Sequence, residues 1–168
     1  YRSLRDEQQM EELKRQNLQA EMDYLRYQIN PHFFMNTLNN IHALIDIDTE
    51  YAKSAVIELS KMMRYVLYES GSETISLKKD IQFIENYIEL MRIRYDSSID
   101  IRFDYPDSIP NKVAIPPLLL IVFVENAFKH GVSYNHASFI QIRIGYRDDA
   151  VTAVISNSRH EKSRSGTT

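Results

Sequence analysis

The chain has 168 residues, 43% of them hydrophobic and 26% charged, enough for one or two small globular units. A formal net charge of -3 supplies no electrostatic reason to bind nucleic acid, and the absence of cysteine excludes a disulfide framework or a thiolate metal site. The longest apolar run, Ala114 to Val124, is interrupted by Pro116 and Pro117 and falls short of the roughly 20 residues that span a bilayer. The chain opens inside a helical pattern and closes in a polar stretch. It reads as an internal fragment, with any membrane attachment expected from segments upstream of it.

Residues 1 to about 30 are rich in Glu, Gln, Lys, Arg and Leu, with no Gly or Pro before Pro31. Leu18, Met22, Leu25 and Ile29 alternate four- and three-residue steps, the seam of a coiled coil. A second helix is expected from about Ile29 to Ile47, and a third after a turn at Asp46 to Thr49, capped by Asp48 or Thr49. Ala52, Ala55, Val56, Leu59, Met63, Val66 and Leu67 predict its apolar face. Two such helices make a hairpin, and two hairpins a four-helix bundle.

Ser70-Gly71-Ser72 is the best linker candidate. Beyond it, Ser76 caps a helix from about Leu77 to Tyr95, with Ile81, Ile84, Tyr87, Ile88 and Met91 on one side. Residues 99–105 alternate as a half-buried strand ended by Pro106. Pro116-Pro117 is expected to open an apolar helix that runs to about His130 and stops at Gly131. Residues 139–144 and 150–155 predict two strands joined as a hairpin around Arg147 to Asp149. The second half is therefore helices layered on an antiparallel-leaning sheet.

Two stretches carry chemistry. In Gln28 to Asn39, Pro31 should bend the helix and lift His32 out of the regular seam. A neutral imidazole is nucleophilic at one nitrogen while the other holds a proton, and Asn36 lies one turn later on the same face. On residues alone, an ordinary helical histidine beside a proline remains the alternative. In Ile115 to Gly131, an apolar helix carries Glu125 and Asn126 together, then Lys129 and His130. An amide oxygen suits magnesium bridging to nucleotide phosphates, and Lys129 could face the same phosphates. The alternative is a plain helix end whose exposed face begins at Glu125.

Together the stretches resemble the LytS/YehU-type sensor histidine kinases. Their phosphoacceptor segment reads close to Q-I-N-P-H-F-x-x-N-x-L-N, and their N-box close to P-P-x-L-L-x-x-x-V-E-N-A-x-K-H-G. The resemblance covers nearly the whole chain from about Leu18. It implies an α plus α/β protein: a coiled coil and phosphoacceptor hairpin over 1–72, dimerising as a four-helix bundle, then a Bergerat (GHKL) α/β sandwich over 73–168. That ATP-binding unit is cut short at its C-terminus, without a glycine-rich lid.

In this family His32 would accept phosphate from ATP beside Asn36, and Asn126 would bind Mg2+ on the phosphates. Glu125 would orient or activate, Lys129 and His130 would lie along the phosphate path, and Asn157 would stand where the wider superfamily has an adenine-binding acid. The implied partners are a second copy of the chain and the receiver domain of a response regulator, with no nucleic acid. The implied setting is the cytoplasmic portion of a bacterial inner-membrane protein.

Phe33 follows the histidine where other histidine-kinase families carry an acid, so the base is not named and Glu125 is only a candidate. With Asn157 in place of the acid, this leaves a non-catalytic dimeric signalling scaffold as the alternative. His42, His136 and His160 lack metal-ligand spacing.

Overall fold

The computed structural model describes residues 2–27, 31–95 and 97–160, with side chains at 4–21 and throughout the two later spans. Met22, Leu25 and Ile29 of the expected seam, Gln28 to Asn30, and residues 161–168 lie outside the described residues or side chains.

Helix α1 (Arg2–Tyr27) follows from its strong helix formers, and every side chain over 4–21 is exposed, Leu18 at 60%. Helix α2 (Pro31–Ile45) begins on its proline. A proline suits a first helical turn, where its missing N–H would have no intrahelical partner, and the expected bend ahead of it falls on residues 28–30, outside the described residues. Helix α3 (Thr49–Arg64) is capped by Asp48, whose carboxylate accepts from the Tyr51 N–H at 3.0 Å.

The α2–α3 hairpin turns Phe33, Thr37 and Ile41 inward against Ala52, Ala55, Leu59 and Met62. The predicted α3 face is only half right. Val56, Met63 and Leu67 are 48%, 44% and 54% exposed, and Met62 takes the inward place. Helix α3 carries two adjacent apolar stripes, and among the described residues only one of them finds a partner. A π-helical turn, Tyr65–Glu69, closes the helix, and the Ser70 N–H reaches the Tyr65 carbonyl at 2.9 Å.

Helix α4 (Leu77–Arg94) is capped by Ser76 as its sequence predicts, with the hydroxyl accepting from the Lys79 N–H at 3.3 Å. Leu77, Ile81, Phe83, Ile84, Tyr87, Ile88, Leu90 and Met91 are all buried, an apolar arc wider than a single face, while Lys78, Gln82, Glu89 and Arg92 keep one stripe exposed. A helix with so wide an apolar arc needs cover on more than one side. The hairpin covers one side and α5 packs on another, so α4 is the central helix of one continuous core.

Strands β1 (Ile75–Ser76) and β3 (Ala114–Ile115) pair antiparallel across the mouth of α4. Two-residue strands show no alternation, which is why sequence reading passes over them. The larger sheet has the order β2-β4-β5, with β2 (Ile99–Asp104), β4 (Ser138–Arg147) and β5 (Ala150–Asn157). It is mixed: β4 and β5 form the expected antiparallel hairpin, but β2 and β4 run parallel. Helix α5 supplies the crossover that a parallel pair requires. The hairpin turn sits at Asp148 and Asp149, both left-handed at φ 52 and 60, the twist a two-residue β-turn prefers.

Helix α5 (Leu119–Gly131) starts later than the prolines imply. Pro116 and Pro117 lie in the turn ahead, and Leu118 takes a left-handed φ of 63 while its side chain is buried. At the other end, Gly131 is the last helical residue and its φ is not positive. Its small size answers a close approach: a Cβ there would meet the Asn157 Cβ at 2.6 Å. The Gly131 carbonyl accepts from the Ser158 hydroxyl and lies 3.2 Å from His160 Nε2, which ties the helix end to β5.

Candidate functional site

The first turn of α2 divides its residues between solvent and core. His32 is exposed, while Phe33 is buried to 8% exposure, its ring 4.8 Å from Tyr87 of α4 and 5.4 Å from Phe34. Tyr87 in turn stands edge-on to Phe128 of α5 at 5.7 Å, and Phe128 stacks on Tyr95 at 6.2 Å. This row of rings seats α2 on α4 and α4 on α5. It fixes where Asn36, one turn beyond His32, must face.

Between α2, the C-terminal end of α4 and the second half of α5 lies a cleft of about 570 Å³. Phe33 and Asn36 come to it from α2; Tyr87, Met91, Arg94 and Tyr95 from the α4 end; Glu125, Asn126, Phe128 and Lys129 from α5; and Val132 and Tyr134 from the following loop. The cleft therefore unites Asn36 of the first motif with Glu125, Asn126 and Lys129 of the second. His32 stands one turn from Asn36 but is not among the lining residues, and neither is His130, which is exposed. Asn157 is elsewhere, partly buried against Gly131, with its amide donating to the Ser158 carbonyl at 2.8 Å.

Burial pushes the Tyr87 hydroxyl well above the usual tyrosine range; the Glu125 charge adds to this and the Arg94 charge opposes it. All three side chains line the same cleft. The Arg94 guanidinium lies 5.3 Å over the Tyr95 ring. Among the described residues no cluster of three or more His, Cys, Asp or Glu could hold a metal ion. A magnesium ion carried on a nucleotide needs no such cage, since it keeps waters and phosphate oxygens and takes few protein donors. One amide oxygen at Asn126, two cations and a cleft of this size suit that form of binding.

A buried acid joins the hairpin to the entry of α5. Asp80 is fully buried, and Tyr65 of the π-helical turn donates to its Oδ1 at 2.8 Å, its ring stacked on Phe83 at 4.3 Å. The Leu118 N–H also bonds the carboxylate, whereas Oδ2 has no hydrogen-bond partner among the described residues. Burial pushes Asp80 up to about 6 despite those two bonds.

Arg94, Tyr95 and Tyr134 are cleft residues that sequence reading does not single out, and it marks Phe33 and Tyr87 only for a missing acid and an apolar helix face. The aromatic positions follow core spacing and carry no separate signal. Arg94-Tyr95, a cation followed by a ring at the end of α4, is the hint the sequence offers.

Comparison with known proteins points to one family. The histidine kinase family profile matches residues 20–99. A sensor protein LytS of Staphylococcus saprophyticus is 40% identical over 111 residues, 66% of this chain and 19% of that protein. The sensor histidine kinase/phosphatase LytS of Staphylococcus aureus strain MRSA252 is 39% identical over the same length, again 66% of this chain and 19% of its own. A sensor protein LytS of Oceanobacillus iheyensis is 32% identical over 146 residues, 86% of this chain and 25% of the relative. The chain thus spans about a fifth to a quarter of these relatives. No described helix is long and apolar enough to cross a membrane. The profile match, the shared identity and the two motifs meeting at one cleft make this chain a member of the histidine kinase family, of the LytS sensor type.

Proposed function

We propose that this chain is the cytoplasmic kinase core of a two-component sensor histidine kinase, in which His32 takes the γ-phosphoryl group of ATP and passes it to a response-regulator aspartate. What supports the reading above all is the cleft, where Asn36 of the histidine motif and Asn126 and Lys129 of the second motif share one wall-to-wall space.

In this reading the imidazole of His32 forms the P–N bond as the β–γ bridging oxygen leaves with ADP. Asn36 and Lys129 hold and neutralise the transferring group, and positioning carries most of the catalysis. Asn126 would hold magnesium, which when bound supplies charge neutralisation on the phosphates. Glu125, which lines the same cleft as Asn36, is the candidate to take or orient the imidazole proton. His130 and Asn157 stand outside the cleft lining and would need a rearrangement to meet nucleotide. Met35, Leu38 and Ile45 of α2, with Val56, Met63 and Leu67 of α3, are exposed apolar side chains and suit a second hairpin in a homodimeric bundle. Membrane attachment would come from segments upstream of this chain.

The test is labelling of the full-length protein from ATP. Acid-labile, alkali-stable phosphate should appear and vanish in His32→Gln. A wild type that takes no label refutes the reading. A non-catalytic scaffold is favoured by two observations: the residue after His32 is Phe33, an apolar ring packed on Tyr87 and no acid, and Asn157 spends its amide on Ser158. ATP affinity, with Asn126→Ala as control, separates scaffold from kinase.

A further inference from the structure

We propose that Arg94 is a phosphate-binding residue of the cleft, its guanidinium gripping the polyphosphate of the bound nucleotide together with the Lys129 ammonium. The proposal rests on the nucleotide reading of the cleft and deepens it.

Helix α4 ends with two arginines whose surroundings differ. Arg92 is satisfied within the fold, its Nε 3.3 Å from Glu89 and its guanidinium donating to the Ile101 carbonyl at 3.2 Å. Arg94 lies two residues on, roughly 200° around the helix, and so faces away from β2 and into the cleft. Among the described residues no carboxylate forms a salt bridge with it. Its neighbours are rings: Tyr95 beneath it at 5.3 Å, and the Tyr87 hydroxyl, which its charge influences. Stacking on Tyr95 restrains the guanidinium while leaving its donors open for a planar, two-point contact, the geometry that matches phosphate oxygens.

The charge balance points the same way. Arg94 and Lys129 bring two cations to the lining, and Glu125 one carboxylate, so the described wall carries an excess of positive charge. A neutral ligand would leave that excess unmet. A polyphosphate would not, and the Asn36 and Asn126 amides can complete its contacts. The competing explanation is a helix-end cation that balances the α4 dipole and covers Tyr95. That role would be indifferent to the charge of any ligand.

Titration calorimetry of the full-length protein with Mg-ATP and with adenosine separates the two. Arg94→Met should weaken ATP about tenfold to a hundredfold, the range of one charged hydrogen-bonding contact, and leave adenosine within about twofold. Arg94→Lys should keep part of the ATP affinity, because it retains charge but not the fork. Equal losses for both ligands, or no loss for ATP, overturn the proposal. If the Met variant unfolds, judged by its thermal midpoint, the Lys variant decides by the same criterion: a selective ATP loss supports the proposal, and an unselective one or none overturns it. A wild type that binds neither ligand removes the nucleotide reading itself, and this inference with it.

Discussion

Replacing Asp80 by asparagine turns the buried acid into a near-isosteric neutral group, and its effect can be worked out from the site. Burial raises the folded-state value from the ordinary 3.8 to about 6, because Tyr65 and Leu118 together supply too few donors to replace the lost water. A group raised on folding contributes stability that is fully present below its unfolded value and lost as pH rises through its folded value. From 3.8 to about 6, at about 1.4 kcal/mol for each pH unit, ionised Asp80 costs the fold about 3 kcal/mol. Other carboxylates titrate in the same window, so the useful quantity is the difference between wild type and Asp80→Asn. Urea unfolding at intervals from pH 4 to pH 8 should show the wild type losing about 2.5 kcal/mol against the variant, most of it by about pH 6, and staying level above about pH 7. The constant cost of burying an extra amide N–H shifts the whole curve without changing its shape. A flat difference refutes the reasoning. So does a difference of opposite slope, which would mean that Oδ2 meets a donor or cation in the folded protein.

Two further outcomes follow from packing. Phe33→Ala should destabilise by about 3 kcal/mol in urea unfolding, the low end for a buried ring because one side opens on the cleft, whereas Phe34→Ala, only half-buried, should cost clearly less. Gly131→Ala should lower the thermal midpoint by several degrees, equivalent to about 2 kcal/mol, since its new Cβ meets the Asn157 Cβ at 2.6 Å. Adding Asn157→Gly to that variant should recover part of the loss, and Asn157→Ala should not.

Much of the architecture was legible because the signals were local. Asp48 and Ser76 cap helices where their side chains can reach the first-turn amides, and alternation marks β2, β4 and β5. The apolar face of α4 was also correctly read. What local signals could not give was which of several apolar stripes finds a partner. That is why Met62 and not Met63 faces inward, and why Pro116-Pro117 precede α5 instead of opening it. At the site, both motifs and their chemistry were present in the residues, but their union across one cleft was not.

By itself, the sequence determined the two motifs, the helix and strand types and the lack of thiolate chemistry, since each depends on residues a few positions apart. Only the tertiary structure decided that Asn36 shares a cleft with Asn126 and Lys129 and that Arg94 joins them. It also decided that Gly131 serves close packing against Asn157, and that Phe33 is an anchor where another residue type was looked for. The physical reason is range. Capping and alternation act within one turn or one strand, whereas the cleft exists because the apolar α4 must be covered on several sides at once. That requirement draws α2 and α5 together around it.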